Sequence, residues 1–215
     1  DTQMLFGRKL EDNIEMLSSV IKDNVDFRLR IIRKYGQNYA AVIFIDGLVD
    51  AQQLNNAVIN AIAEHDNQCL TEVDSAARNL LTAAQVDQVF DVSQAIKAII
   101  GGKVLILLEN QCVGLAADLN KATGRSIVKS SSQSFVRGPG HSFIENINDN
   151  TAMLRRILKT PDLKFETLIK GKKTVHRIVI AYIDGIADRS LPGEVRNRLE
   201  RIDTDAVFES NFIEE

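Results

Sequence analysis

Hydrophobic and polar positions follow a pattern that occurs twice along this chain. Residues 12–22 and 149–159 each place apolar side chains at helical spacing. Each of these helices is followed by two strand-like segments separated by turn-forming residues. An Asp-Gly pair ends the second strand, and a further helix follows, at 51–65 in one case and at 191–202 in the other. The pattern therefore predicts two helix–strand–strand–helix units.

The two units also match residue by residue, which indicates an internal duplication. Residues 25–50 align without a gap on residues 163–188, and the clearest match pairs FIDGLVD at 44–50 with YIDGIAD at 182–188. In both units the second strand is apolar throughout, which favours a central position in a sheet. We therefore expect the two units to share one topology.

The region between the units has a different pattern. It predicts helices and strands in the order 75–81, 92–100, 104–108, 112–116 and 126–129, of which the first two are helices. Residues 129–140 are rich in Ser, Gly and Pro, as is typical of a crossover between compact units. We predict an α/β fold with two subdomains, residues 1–135 and 136–215, each a mixed β-sheet with packed helices.

Composition and charge exclude several classes of function. Of the 215 residues, 45% are hydrophobic and 26% are charged, as in ordinary globular proteins. The formal net charge of −3 provides no positive field, so we expect no nucleic-acid partner. The longest apolar runs have the length of strands and fall far short of the ~20 residues that cross a bilayer.

The Asp-Gly turns are the first candidate for a functional site. Asp46 and Asp184 end apolar strands, where α/β proteins bind ligands or accept a phosphoryl group. The sequence lacks the patterns of a metal site, a nucleotide loop or a catalytic triad, so we expect neither a cofactor nor catalysis. The alternative is a structural turn, in which glycine supplies a positive φ and aspartate bonds nearby backbone N–H groups. The candidate residues are Asp46, Gly47, Asp50, Asp184, Gly185 and Asp188.

The second candidate is the segment FVRGPGHSFIEN at 135–146, together with the helix after it. Gly-Pro-Gly makes a tight bend, and Ser142 with Glu145 has the spacing of a capping box. One interpretation is an anion held at the helix N-terminus, and the other is a hinge that joins the subdomains through an Arg–carboxylate bond. Arg155 and Arg156 are predicted on the face opposite the apolar residues. The candidate residues are Arg137, Gly138, Pro139, Glu145, Asn146, Asn150, Arg155 and Arg156.

These segments resemble those of a known family, the A subunits of GerA-type spore germinant receptors. The run VRGPGHSFIEN at 136–146, followed by N-x-x-x-L-R-R at 150–156, is similar to that family's signature. The two Ile-Asp-Gly turns and residues 194–203 are similar to it as well, so the resemblance covers nearly the whole chain. The sequence departs from the family at GHS in 140–142, where Arg-Glu-Gly is usual, and at Ile157, where a third arginine is common.

The resemblance implies the soluble N-terminal domain of such an A subunit, on the cytoplasmic, spore-core side of the spore inner membrane. It implies B and C subunits, other A subunits and a small-molecule nutrient germinant as partners. We expect a contribution to germinant sensing or signal relay and to receptor assembly. We also expect this chain to be a piece of a longer protein, cut at both ends, whose membrane-spanning domain lies beyond it. The alternative is a ligand-binding or phospho-acceptor signalling domain that uses the strand-end aspartates.

Overall fold

A computed structural model describes residues 4–21, 24–60, 62, 85–119, 142–172 and 174–202. The described residues form five α-helices, one π-helical segment and seven β-strands. In chain order they are α1 (Leu10–Ile21), β1 (Phe27–Lys34), β2 (Gln37–Ile45), α2 (Ala51–Gln53) with the π-helical segment Leu54–Ile59, β3 (Val86–Val89), α3 (Val92–Ile100), β4 (Val104–Leu108), β5 (Gly114–Ala117), α4 (Ile147–Ile157), β6 (Leu163–Lys170), β7 (His176–Ile183) and α5 (Leu191–Arg201).

The first sheet has five strands in the order β1-β2-β4-β5-β3. All of β4 and the last six residues of β2 are buried, because these segments are continuously apolar. Helices α1 and α3 cover one face of the sheet, while the π-helical segment covers the other with Leu54 and Val58. The first sheet therefore separates two hydrophobic clusters, as layered α/β folds do.

The second sheet is the two-stranded hairpin of β6 and β7. Adjacent residues of β6 point to opposite faces of this hairpin. On one face Glu166 binds Arg196 of α5, and on the other face Phe165 lies against Arg155 of α4. The hairpin is therefore held between α5 and α4.

The predicted α/β class with two sheets is confirmed, and two details of it are corrected. Every strand pair among the described residues is antiparallel rather than mixed, since β1–β2, β4–β5 and β6–β7 are joined by short hairpin loops. Strand β7 has one described neighbour instead of a central position, and its apolar side chains are divided between the two hairpin faces. The boundary at 135/136, the helix at 75–81 and the strand at 126–129 lie outside the described residues.

The two predicted units share an unusual local contact near the start of their first helices. The side chain of Asn13 exchanges two hydrogen bonds with the backbone of Gly7, both at 2.8 Å. Asn150, its counterpart in the alignment, does the same with Ile144, at 2.8 and 2.6 Å. The matching asparagines therefore organise the chain before each helix in the same way.

The gapless alignment of the two units is wrong in the first strand. The N–H of Asp46 bonds the carbonyl of Asp26, and the N–H of Asp184 bonds that of Asp162, both at 2.8 Å. The alignment had paired Asp26 with Lys164 instead. The shift arises because the β6–β7 loop is longer than the tight β1–β2 turn. A common origin of the two units stays a hypothesis.

Candidate functional site

Helix α4, which carries the predicted arginines, begins at Ile147, later than a capping box at Ser142 would place it. Asn146 caps it by accepting a hydrogen bond from the N–H of Asn148 at 2.9 Å. The backbone contacts of Asn150 described above fix the segment just before this cap. The predicted capping box of Ser142 and Glu145 is therefore wrong, whereas Asn146 and Asn150 both have structural roles.

Arg155 of α4 forms a buried ion pair with the residue that precedes β1. Its Nε and Nη2 atoms donate to the two carboxylate oxygens of Asp26, at 2.9 and 3.0 Å. Nη1 donates to the carbonyl of Thr160 at 3.0 Å, and Nη2 also donates to the side-chain oxygen of Asn24 at 3.1 Å. The arginine is fully buried, and these bonds satisfy the condition for burying a charge. The four residues are named the arginine clamp.

Two aromatic rings, one from each sheet, complete the surroundings of the clamp. The guanidinium carbon of Arg155 lies 5.4 Å from the ring centre of Phe27 in β1 and 4.9 Å from that of Phe165 in β6. Both distances are within the range of cation–π attraction. Arg155 therefore ties α4, the first sheet and the hairpin together.

The predicted position of Arg155 on the polar face of its helix is wrong. A charged residue can occupy the buried face because Asp26 and the two rings compensate the guanidinium there. Of the two interpretations of this region, the geometry favours an Arg–carboxylate bond, although the carboxylate is one that the sequence did not single out.

The first Asp-Gly turn lies against α4. Gly47 has a φ of +80°, and a Cβ added to it would lie 2.9 Å from the Cβ of Ala152 and 3.3 Å from the carbonyl oxygen of Asn148. Arg156 donates to the carbonyl of Gly47 at 3.2 Å. Glycine is therefore needed here both for the turn and for the close approach of the helix.

The aspartates of this turn have different partners. The carboxylate of Asp46 accepts hydrogen bonds from Arg28 at 3.1 and 3.3 Å, so the predicted bonds to backbone N–H groups are corrected. Asp50 does bond backbone N–H groups, those of Gln52 and Gln53, and so caps α2 as predicted. Because Asp46 and Arg28 are both about half exposed, their ion pair contributes little to stability.

The second Asp-Gly turn is similar in sequence but open to solvent. Gly185 has a φ of +82°, and a Cβ added to it would meet nothing within 4 Å. Asp188 accepts hydrogen bonds from the hydroxyl and the N–H of Ser190, and these lower the pKa of its carboxyl group. The two turns therefore share a backbone geometry, but only the first packs closely against α4.

A cavity of about 240 Å³ opens between the first sheet, α4 and the hairpin. Two guanidinium groups and two carboxylates line it. Asp26 belongs to the arginine clamp and Asp46 pairs with Arg28, whereas Arg177 donates to the neutral side-chain amide of Asn148. The cavity therefore has an excess of positive charge at Arg177 and a partly exposed carboxylate at Asp46. Its lining residues are Val25, Asp26, Arg28, Asp46, Asn148, Thr151, Thr167, Arg177 and Val179.

A second polar network, missed by sequence reasoning, fixes α5 to the hairpin. Glu166 accepts hydrogen bonds from the hydroxyl of Tyr182 at 2.8 Å and from Arg196. Burial raises the pKa of Tyr182, and the hydrogen bond and charge of Glu166 bring it to about 12. Burial also acts to raise the pKa of Glu166, but the bonds and charge of its partners outweigh that effect and lower it. The tyrosine that precedes the second Asp-Gly turn is therefore a structural donor.

The remaining predicted residues lie apart from this cluster. Arg137, Gly138 and Pro139 are outside the described residues, and Glu145 is exposed. Within the described ranges, no group of three or more His, Cys, Asp or Glu side chains could hold a metal ion. None of the described helices combines the length and the apolar character that a membrane crossing requires.

Comparison with known proteins identifies the family. Residues 15–215 match the model of the Bacillus/Clostridium GerA spore germination protein family. The spore germination protein KA of Bacillus subtilis is 29% identical over 215 residues, which cover 99% of this chain. The membrane protein YfkQ of the same organism is 28% identical over 207 residues, 96% of this chain. Each alignment covers 40% of the relative, so this chain spans less than half the length of both proteins.

A crystal structure shows the same fold. The N-terminal domain of the A subunit of the Bacillus megaterium spore germinant receptor GerK3 superimposes with a TM-score of 0.74 and 24% identity. The match covers 100% of this chain and 80% of the other. The match to the family model over residues 15–215 shows that this chain belongs to the GerA family of spore germination proteins.

Proposed function

We propose that this chain acts as the N-terminal domain of the A subunit of a nutrient germinant receptor and relays the germination signal between its two sheets. The supporting observation is the arginine clamp, which joins α4, β1 and β6 through one buried guanidinium. A movement of the first sheet at Asp26 would have to move α4 with it, because separating them would leave a buried charge unpaired. The hairpin is linked to the same guanidinium through the ring of Phe165.

The contacts around the first Asp-Gly turn extend this coupling. Arg156 bonds the carbonyl of Gly47, and Arg177 of the hairpin bonds the side chain of Asn148 on α4. Helix α4 therefore has polar contacts with both sheets along one side. An element held in this way can pass a displacement from one sheet to the other, provided that the element has two discrete arrangements.

Partners and location follow from the same proposal. We propose that the domain lies on the cytoplasmic side of the spore inner membrane and assembles there with B and C subunits and with other A subunits. We propose the division into subdomains 1–135 and 136–215, with one sheet in each.

Replacing Arg156 with glutamine in the full-length protein tests the relay. The change removes one hydrogen bond between α4 and the Gly47 turn, which is worth about 1 kcal/mol or about fivefold in a two-state equilibrium. We expect spores with Arg156→Gln to germinate more slowly while their receptor level, measured by immunoblot, stays unchanged. Arg198→Gln is the matched control, because Arg198 bonds Glu194 within its own helix. Normal germination of the Arg156 variant at normal receptor level would contradict the relay.

Direct binding of a small molecule is the second candidate, and the cavity favours it. A zwitterion could place its cationic group at Asp46 and its anionic group at Arg177, both of which line the cavity. Isothermal calorimetry with nutrient germinants should then show saturable binding that is lost in Asp46→Asn and retained in Asp184→Asn. The absence of binding at millimolar concentrations would remove this candidate and leave the relay standing.

A further inference from the structure

Strand β1 forms an edge of the first sheet, and part of its outer side is open. The bond from the N–H of Asp46 to the carbonyl of Asp26 fixes the phase of the β1–β2 pairing. In an antiparallel pair, residues alternate between facing the partner strand and facing away from it. The backbone groups of Phe27, Leu29 and Ile31 therefore point away from β2.

The hairpin uses only the beginning of this edge. The N–H of Val25 reaches the carbonyl of Phe165 in β6 at 3.5 Å. The N–H and carbonyl groups of Leu29 and Ile31 have no hydrogen-bond partner among the described residues. The β-bulge between the pairs Ile32–Ala40 and Arg33–Asn38 has its extra residue, Tyr39, in β2, so the outer side of β1 is not interrupted there. The open stretch therefore has room for a short strand.

Apolar side chains lie on one face of the open edge. Leu29 is 44% exposed and Ile31 is 41% exposed, although their face continues from Phe27 into the hydrophobic cluster under α1. Open backbone groups beside exposed apolar side chains are what a pairing strand recognises.

The other face of the strand carries positive charge at Arg30. Arg30 bonds the neutral amide oxygen of Asn55 at 3.0 Å, whereas Arg28 on the same face pairs with the carboxylate of Asp46. Arg33 bonds Asn38 at 3.1 Å and lies near the carboxylate of Glu11, to which Asn38 also donates. The open edge therefore has the positive charge of Arg30 on one side and apolar surface on the other.

We propose that the β1 edge binds an extended segment of another polypeptide as an added antiparallel strand. Its carboxylates lie on the face of Arg30, while its intervening apolar residues cover Leu29 and Ile31. Charge selects this occupant, because a second copy of the chain docking through its own β1 would oppose arginine to arginine. This surface is separate from the arginine clamp and does not depend on the relay.

Peptide binding to the 215-residue chain tests the edge. The probe is a capped, fluorescently labelled Glu-Val-Glu-Val-Glu-Val peptide, and Lys-Val-Lys-Val-Lys-Val is its matched counterpart. We expect saturable binding of the acidic peptide, about tenfold weaker binding of the basic one, and loss of the difference at high salt. Arg30→Glu should weaken the acidic peptide about tenfold and strengthen the basic one, whereas Arg201→Glu, on exposed α5, should change neither.

Leu29→Pro tests the backbone contact independently of charge. Proline removes an N–H that points away from β2, so the ladder between β1 and β2 is retained while strand addition is blocked. We expect folded Leu29→Pro protein, checked by circular dichroism, to lose binding of the acidic peptide.

Several results would overturn this proposal. One is equal affinity for the acidic and the basic peptide. Another is unchanged peptide binding after Arg30→Glu, and this measurement remains informative if the proline variant fails to fold. A third is the absence of saturable binding, which is expected when a second copy of the chain covers the edge or when the arginines only prevent pairing.

Discussion

Replacing Arg155 with methionine is expected to lower the free energy of unfolding by about 3–5 kcal/mol. The change leaves the Asp26 carboxylate buried at 6% exposure without its guanidinium partner. It also removes the cation between the rings of Phe27 and Phe165. Urea unfolding followed by circular dichroism measures the loss.

Two further variants separate the ion pair from general damage to α4. Arg156→Met, one position along the same helix, removes a single hydrogen bond to Gly47 and should cost about 1 kcal/mol. Asp26→Leu combined with Arg155→Met removes both charges and should cost less than Arg155→Met alone, since no unpaired ion remains. Equal losses for Arg155→Met and Arg156→Met would show that no buried ion pair is present.

The sequence identified those elements whose signals are local. Helix α3 and strand β4 have the bounds that were predicted, because a clear apolar period ends at Gly101-Gly102 and a continuous apolar run follows. The helix predicted at 191–202 is likewise observed as α5, which begins after Ser190 with Pro192 in its first turn. Strand β3 was missed, since four residues with two polar ones carry no strong period.

The centre of the candidate site depends on contacts that no local pattern contains. Asp26 and Arg155 are 129 positions apart, and the periodicity of α4 assigns the arginine to the solvent side. Arg177 belongs to none of the motifs found in the sequence, yet it bonds Asn148 of α4. A carboxylate just before a strand was the sole sequence signal for Asp26, and Asp162 has the same signal but no arginine partner among the described residues. The partner of a buried charge is therefore found only once the fold is known.

The second large effect on the free energy of unfolding is expected at the two Asp-Gly turns, because only the first of them is in contact with α4. Gly47 and Gly185 have φ values of +80° and +82°, so alanine is strained to the same degree at both positions. We expect Gly185→Ala to cost about 1–2 kcal/mol, the penalty for a left-handed conformation. At Gly47 the new Cβ would also overlap α4, which adds about 1–3 kcal/mol. Urea unfolding of both variants measures the difference.

A third substitution assigns that difference to a single contact. The nearest atom to the added Cβ at Gly47 is the Cβ of Ala152, at 2.9 Å. The Ala152→Gly change alone should lower the free energy of unfolding by about 1 kcal/mol, because glycine is unfavourable inside a helix. Relative to that single variant, adding Gly47→Ala should cost little more stability than Gly185→Ala does. The proposed relay requires α4 to pack against the Gly47 turn. If Gly47→Ala and Gly185→Ala lower the free energy of unfolding equally in the original chain, the relay loses its structural basis. A larger cost at Gly47 that disappears with Ala152→Gly would place the helix on the turn in solution, where a displacement of either one must move the other.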